Sequence, residues 1–147
     1  MSNQITRLTR PFPKSMIQEK PGGFAAKYVA HARVVEKLIA VLGPFDYEVT
    51  QLIKDPDGTV TGCVSKLTVE IDGKLVTVSE IGDVENPGTK NNGARAKDAS
   101  SDAIKRCAMR LGVGLELWVK GEPMLHAALV KAEDIEAPET NDEGEIE

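Results

Sequence analysis

The residues best suited to chemistry are two adjacent cations within a segment that has helical periodicity. Six basic and two acidic side chains fall between residues 90 and 110, and Lys105 and Arg106 follow one another. Apolar residues at 103, 104, 107, 108 and 111 mark one face of a helix, which leaves these cations on the other side. Several cations along one helix edge favour contacts with nucleic-acid phosphates, although an ordinary solvated face has the same pattern.

The segment before this helix, residues 82–93, is rich in Gly and Asn and is predicted to be a loop. Together with the start of the helix it contributes Lys90, Arg95 and Lys97. Backbone N–H groups at a helix N-terminus suit a phosphate. The chain has no GxxxxGK[ST] motif, so the sequence does not support ATP hydrolysis.

A metal-dependent nuclease is an alternative, because Pro56-Asp57 followed by Asp72-Gly73-Lys74 has the form of a PD…(D/E)xK pattern. Such carboxylates and a lysine would hold a magnesium ion and orient water. However, Asp57-Gly58 and Asp72-Gly73 are also strong turn signals. Two successive hairpin turns lie at opposite ends of a strand, which disfavours a shared metal and makes this the weaker interpretation.

Other catalytic or metal-binding groupings are not indicated. The two histidines, His31 and His126, and the two cysteines, Cys63 and Cys107, lack zinc-site spacing. Both cysteines have apolar neighbours and are predicted to be buried thiols in a reducing cytoplasm. Among the few aromatic residues, Phe24 and Tyr28 near Lys27 are the best candidates for stacking on a base.

The elements that position these residues follow the order α-β-β-β-α. Helical spacing predicts helices over 30–42 and 94–111, and alternation predicts strands over 47–53, 59–71 and 74–81. We therefore expect an α+β fold, an antiparallel meander covered by helices. Residues 1–23 are expected to form an N-terminal arm, with at most a strand near 15–18, before a core at 24–120 that starts with a short extended piece at 24–28. An extension at 121–147 is expected to be disordered from about residue 131.

Charge is unevenly distributed along the 147 residues, whose formal net charge is −5. Residues 133–147 hold eight acids and no base, which leaves 18 basic and 15 acidic side chains over residues 1–132. A positive body with an acidic tail favours a polyanionic partner. No run of about 18 apolar residues and no N-terminal apolar segment is present, so neither a membrane span nor a secretory signal is predicted.

Residues 96–114 (AKDASSDAIKRCAMRLGVG) resemble the signature helix of single-strand annealing proteins, in the branch of the recombination mediator Rad fifty-two and its bacteriophage relatives. That signature reads K-[DE]-A-x-[ST]-D-[AG]-[LI]-K-R-A and is followed by an aromatic residue, here Trp118. Residues 28–43 are similar to the family's first helix and the residues before it. Glu80-Ile81-Gly82 is similar to the end of its third strand. The resemblance covers about residues 12–120.

The resemblance implies a β-β-β-α core packed on a helix and assembly into homo-oligomeric rings or curved filaments. It implies cofactor-free annealing of single-stranded DNA in recombination and repair, no enzyme activity, and a phage protein in the bacterial cytoplasm. Lys105 and Arg106 match paired cations that contact the DNA backbone, and Arg33 matches an arginine of the first helix. Met109 replaces a further cation, with Arg110 one position away. The DNA-binding candidates are therefore Lys105, Arg106, Arg33, Lys97, Arg95, Lys90 and Arg110.

A double-stranded RNA-binding module is a second alternative, since it shares the α-β-β-β-α order. Its basic cluster lies at the N-terminus of the last helix, whereas Lys105 and Arg106 lie in mid-helix. The acidic tail has three interpretations. It is a solubilising segment, a competitor for the basic groove, or a docking site for a host replication or single-strand-binding protein.

Overall fold

The computed structural model of the chain describes residues 3–19, 27–89, 91–119, 121 and 123–136. These residues form four α-helices and five strands, which confirms the predicted α+β class. Two 3-10 turns are added at Lys14–Met16 and Leu115–Leu117. In chain order the elements are α1 (Asn3–Thr9), β1 (Gln18–Glu19), β2 (Lys27–Tyr28), α2 (His31–Leu42), β3 (Asp46–Lys54), β4 (Val60–Ile71), β5 (Lys74–Asp83), α3 (Asn92–Arg110) and α4 (Leu125–Glu136).

The three longer strands form the predicted antiparallel meander, with β4 between β3 and β5. In the first hairpin the Gly58 amide donates to the Asp55 carbonyl, and Gly58 has a φ of 87°, which glycine adopts without strain. Asp72 and Gly73 form the second turn, both at positive φ, as two-residue hairpin turns require. The short strands β1 and β2 pair separately.

Helix α3 covers one face of this sheet. Alternate residues of β4 point towards it, so that Cys63 and Leu67 are fully buried. The helix meets the sheet through small side chains, including Ala99 and Ala103, both fully buried. The approach is closest at Gly82 of β5, where an added Cβ would lie 2.7 Å from the amide nitrogen of Ala103. Only glycine fits there without moving α3.

Helix α2 closes the side of the core and ends as predicted at Gly43, which has a φ of 80°. Its apolar face contributes Val34 and Leu38 to the main cluster, which also contains Val29 and Val69. None of the helices within the described ranges has the length and apolar character needed to cross a membrane.

Two helices were not predicted. Residues 3–9 form α1 inside the segment expected to be an arm, and Leu8 of this helix is fully buried in the core. Helix α4 continues to residue 136, so residues 131–136 are helical where disorder was expected, and residues 137–147 lie outside the described part of the chain. Thr6 and Thr9 of α1 bond Glu133 and His126 of α4, respectively. Helices α1 and α4 thus hold each other in place, although they lie far apart in the sequence.

The thiols of Cys63 and Cys107 are buried and unpaired with each other, in agreement with the sequence. Cys107 Sγ lies 3.6 Å from the hydroxyl of Ser65. Burial raises the pKa of both thiols, which disfavours the reactive thiolate form.

Candidate functional site

A groove of about 450 Å³ lies between β2, the middle of α3 and the segment that follows α3. We call it the α3 groove and define it by Tyr28, Lys105, Arg106 and Trp118, all of which line it. Its floor is apolar and contains the buried Val29 and Val113, among others. The adjacent cations that the sequence singled out therefore share one concave surface with the rings of Tyr28 and Trp118, and Phe12 lines its buried part.

Contacts with neighbouring residues position the Lys105 side chain, which does not extend into solvent. Its side chain is 16% exposed, and its Nζ lies 3.9 Å from a carboxylate oxygen of Glu85. The same Nζ lies 5.9 Å from the centroid of the Tyr28 ring, at the outer limit of a cation–π contact. The ammonium is thus held between an acid and an aromatic ring, and a phosphate would have to compete with Glu85 for it.

Arg106 is oriented by a buried carboxylate. Its Nε donates to Asp102 at 2.9 Å, and the side chain of Asp102 is only 3% exposed. Burial alone would lower the pKa of Arg106, but Asp102, with Asp83 and Glu80 nearby, raises it above its ordinary value. Among the described residues this guanidinium bonds through Nε only, so its remaining N–H groups are available to a ligand.

Trp118 completes the groove from the other side. The guanidinium carbon of Arg106 lies 4.9 Å from the centroid of the indole ring. The chain reaches this position through a turn with Gly112 and Gly114 at φ of 97° and 72°, a conformation that side chains disfavour. The 3-10 turn of Leu115–Leu117 then directs Trp118 back towards α3.

Acids balance the cations that line the α3 groove. Lys27, Lys105 and Arg106 face Glu85, Asp102 and Glu116. Two of these carboxylates also have structural roles, because Asp102 accepts from the Asp83 amide and Glu116 from the Phe12 amide, both at 2.9 Å. The groove is therefore a set of oriented ion pairs, and Lys105 in particular must exchange its partner Glu85 to bind an anion.

The remaining candidates for DNA contact are dispersed. Arg110 bonds the Ser79 carbonyl at 3.0 Å, on the edge of β5 away from β4, and is 54% exposed. Arg33 lies on α2 and pairs with Glu36 at 3.2 Å. Lys97 lines a different groove, together with residues of α2 and β3. Lys90 and the stacking candidate Phe24 lie outside the described residues.

Arg95 has a structural role, which departs from the expected contact with DNA. It is 9% exposed, and its Nε donates to the Val60 carbonyl at 2.6 Å. Its Nη1 donates to the carbonyls of Pro87 and Thr89, at 3.2 and 2.8 Å. Arg95 therefore fastens the loop before α3 to the start of β4, and we leave it out of the proposed DNA-binding surface.

Two asparagines at the start of α3 bond other parts of the chain. Asn91 caps the helix by accepting from the Ala94 amide at 3.1 Å. Asn92 accepts from the Val60 amide and donates to the Gly58 carbonyl, both at 3.0 Å. These contacts tie the helix to the first hairpin, so the two asparagines act as structural links rather than as a phosphate cradle.

The two turns of the nuclease-like pattern lie at opposite ends of β4. With 12 residues in that strand, the turns are separated by roughly 35 Å. Asp57 accepts from the Thr59 amide, and hydrogen bonds from Asp55 and Thr59 lower its pKa to about 2. The described residues contain no cluster of three or more metal-ligating side chains. The pattern is thus explained by turn formation.

Sequence reasoning identified Lys105, Arg106 and Tyr28 but did not identify Trp118 or Glu85 as part of one site. Trp118 stood out only as the chain's single tryptophan and as the aromatic residue that follows the signature helix. Its place opposite α3 depends on the turn at Gly112 and Gly114. That tertiary arrangement leaves no periodic signal in the sequence.

Comparison with known proteins supplies one informative similarity. No model of a protein family matches the chain. Over 129 residues the chain is 32% identical to the single-stranded DNA-binding protein DdrA of Deinococcus radiodurans. The similar region covers 80% of this chain and 56% of DdrA, so the chain spans little more than half the length of that relative.

Proposed function

We propose that the chain binds single-stranded DNA in the α3 groove and anneals complementary strands without a nucleotide or metal cofactor. The observation that carries this proposal is the convergence of two adjacent cations and two aromatic rings in one groove. The similarity to a protein named for single-stranded DNA binding supports it independently. The proposal treats the chain as a binding protein rather than an enzyme.

Phosphate recognition in this proposal depends on Arg106 and Lys105. Asp102 fixes the Arg106 side chain through Nε, so its terminal N–H groups can donate to a phosphate without reordering the side chain. Lys105 exchanges its pairing with Glu85, at 3.9 Å, for a phosphate oxygen. Both contacts read charge and not sequence, which suits a protein that must hold any strand.

Annealing also requires many nucleotides in register, more than one groove can hold. We propose that copies of the chain assemble head-to-tail into a ring or filament, because repeated heterologous interfaces extend a binding track. Light scattering at concentrations where annealing is active checks this step. A strict monomer that anneals would refute the assembly and leave DNA binding intact. The phage origin, the cytoplasmic location and a host-protein partner for the tail stay predictions.

Fluorescence anisotropy with a labelled single strand tests the binding site. Lys105→Ala and Arg106→Ala should weaken binding to different sequences equally, and each should reduce the magnitude of the salt slope by about 0.7. Lys66→Ala is the matched control, because Lys66 is 46% exposed on the sheet face away from α3 and pairs with Glu48. Loss of affinity in the control alone would place the interface elsewhere.

The same assay separates the alternatives. Preference for duplex RNA over single-stranded DNA would favour the RNA-binding module. Magnesium-dependent shortening of the labelled strand would favour the nuclease. Annealing of two complementary oligonucleotides, followed by gel mobility without ATP and with a chelator present, is the result we expect.

A further inference from the structure

The α3 groove has features that phosphate binding does not require. Phosphates need only hydrogen-bond donors, whereas this groove also has an apolar floor with Phe12, Val34 and Val113, each at most 6% exposed. Its volume of about 450 Å³ lies within the range of pockets that hold small organic groups. A planar, largely apolar chemical group therefore fits this groove better than a phosphate does.

The rings of Tyr28 and Trp118 stand on either side of the adjacent cations. Lys105 contacts Tyr28 and Arg106 contacts Trp118, and successive helix residues diverge by about 100°. The rings therefore belong to different walls of the groove rather than to one cluster. A planar group that enters between the walls meets aromatic surface and hydrogen-bond donors together.

Trp118 is 42% exposed, although indole is among the largest apolar surfaces a chain can bury. The guanidinium of Arg106 holds it in place at 4.9 Å, and Asp102 holds that guanidinium. The ring is therefore presented at a fixed position at low entropic cost. A pre-positioned ring beside a phosphate-directed cation is the arrangement used for stacking on single-stranded bases.

We propose that the α3 groove takes one nucleobase of the bound strand, stacked on Trp118, while Arg106 and Lys105 hold the adjoining phosphates. This inference deepens the proposed function and rests on it. It assigns Trp118 as a DNA-contacting residue and Tyr28 as the opposite wall. Stacking tolerates every base, so the site would anchor the strand without selecting a sequence.

The chain's single tryptophan makes the test specific to this site. The full chain is titrated with an oligothymidylate and with an abasic strand of equal length and phosphate number. Tryptophan fluorescence should be quenched by the first strand and much less by the second. The abasic strand should bind about 5- to 150-fold more weakly per stacked base, with the same salt slope.

Variants separate stacking from folding. Trp118→Ala should weaken thymidylate binding by a similar factor and abasic binding much less, and Trp118→Phe should recover part of the loss. Met124→Ala, at an 81% exposed position, is the control for removing an exposed apolar side chain. Circular dichroism before each titration establishes that the variants are folded.

Three outcomes would overturn the inference. Equal affinity and equal quenching with both strands would show that the groove binds phosphates alone, and the proposed function would stand. A Trp118→Ala variant that changes the oligomeric state but not thymidylate affinity would assign the indole to a subunit contact. Absence of binding to either strand would refute the proposed function, and the base site with it.

Discussion

Replacing Arg95 with lysine tests whether this residue has a structural role or contacts DNA. The change keeps the formal charge, so the long-range electrostatics of the chain are almost unchanged. It removes the planar fork that reaches the carbonyls of Val60, Pro87 and Thr89 together. A lysine ammonium on a flexible stem can satisfy only some of these three acceptors.

The expected loss in the free energy of unfolding follows from those three hydrogen bonds. Hydrogen bonds to a charged group contribute about 1.5–3 kcal/mol each, and an unsatisfied buried carbonyl costs about as much. The bond to Val60 is buried and those to Pro87 and Thr89 are partly buried. Losing one or two of them should lower the free energy of unfolding by about 2–4 kcal/mol. This is a large part of the roughly 5–15 kcal/mol typical of a domain.

Urea denaturation followed by circular dichroism measures this loss. With an m-value of about 2 kcal/mol/M, the midpoint should fall by about 1–2 M. Arg110→Lys is the matched control, because it makes the same substitution on the same helix at a 54% exposed position. We expect that control to stay within about 0.5–1 kcal/mol of the parent chain.

Single-strand binding by the folded Arg95→Lys variant completes the test. Both affinity and salt slope should match those of the parent, since Arg95 does not face the α3 groove. A variant with unchanged stability and a smaller salt slope would refute the structural role. It would return Arg95 to the set of DNA contacts predicted from the sequence.

Three further outcomes are expected. Gly82→Ala should destabilise the chain by about 3 kcal/mol or more in denaturation, because the new Cβ would overlap the α3 backbone, whereas Gly88→Ala should be near neutral. Cys63 and Cys107 should react with Ellman's reagent only on unfolding, since burial raises the pKa of each thiol; rapid labelling of the native chain would contradict this. Removing residues 137–147 should tighten single-strand binding at low salt and not at high salt, as anisotropy at two salt concentrations can show.

The position of the cut in that last experiment depends on the structure. The sequence predicted a flexible tail from about residue 131, and a deletion from Glu133 would follow from it. Glu133 belongs to α4 and accepts from Thr6 of α1, so that deletion would also loosen the packing of α1. Cutting after residue 136 removes acidic charge and leaves this contact in place.

Local patterns predicted the elements that carry strong periodicity. The meander follows from β-branched alternation and from the Asp-Gly turns at 57–58 and 72–73, and α2 and α3 follow from their apolar faces. Helix α1 was missed because seven residues with one buried leucine give no periodic signal. Helix α4 was missed because its last turns, which contain three acids, merge with the acidic tail, while its docking depends on His126 and Glu133 contacting residues over 100 positions away.

The candidate site was also only partly predictable from local sequence patterns. Charge identified Lys105 and Arg106, but charge alone could not separate Arg110, Arg33 and Arg95, which the structure places at a strand edge, on α2 and in a buried bonding network. A cation's availability is set by the carbonyls and carboxylates that tertiary structure brings to it. Glu36 lies only three residues from Arg33, but Ser79 and Val60 lie 31 and 35 residues from Arg110 and Arg95, respectively.

The ion pairs in the α3 groove affect how tightly the groove can bind a DNA strand. Lys105 starts in an ion pair with Glu85, so its phosphate contact replaces an existing interaction, whereas Arg106 keeps its bond to Asp102 and donates through its terminal N–H groups. The net gain per groove is then small, and the salt slope for one subunit should be below the number of lining cations. Weak sites become tight when several act on one strand, because the second contact is intramolecular. The groove's charge balance therefore agrees with the proposed assembly, in which several weak grooves hold one strand together.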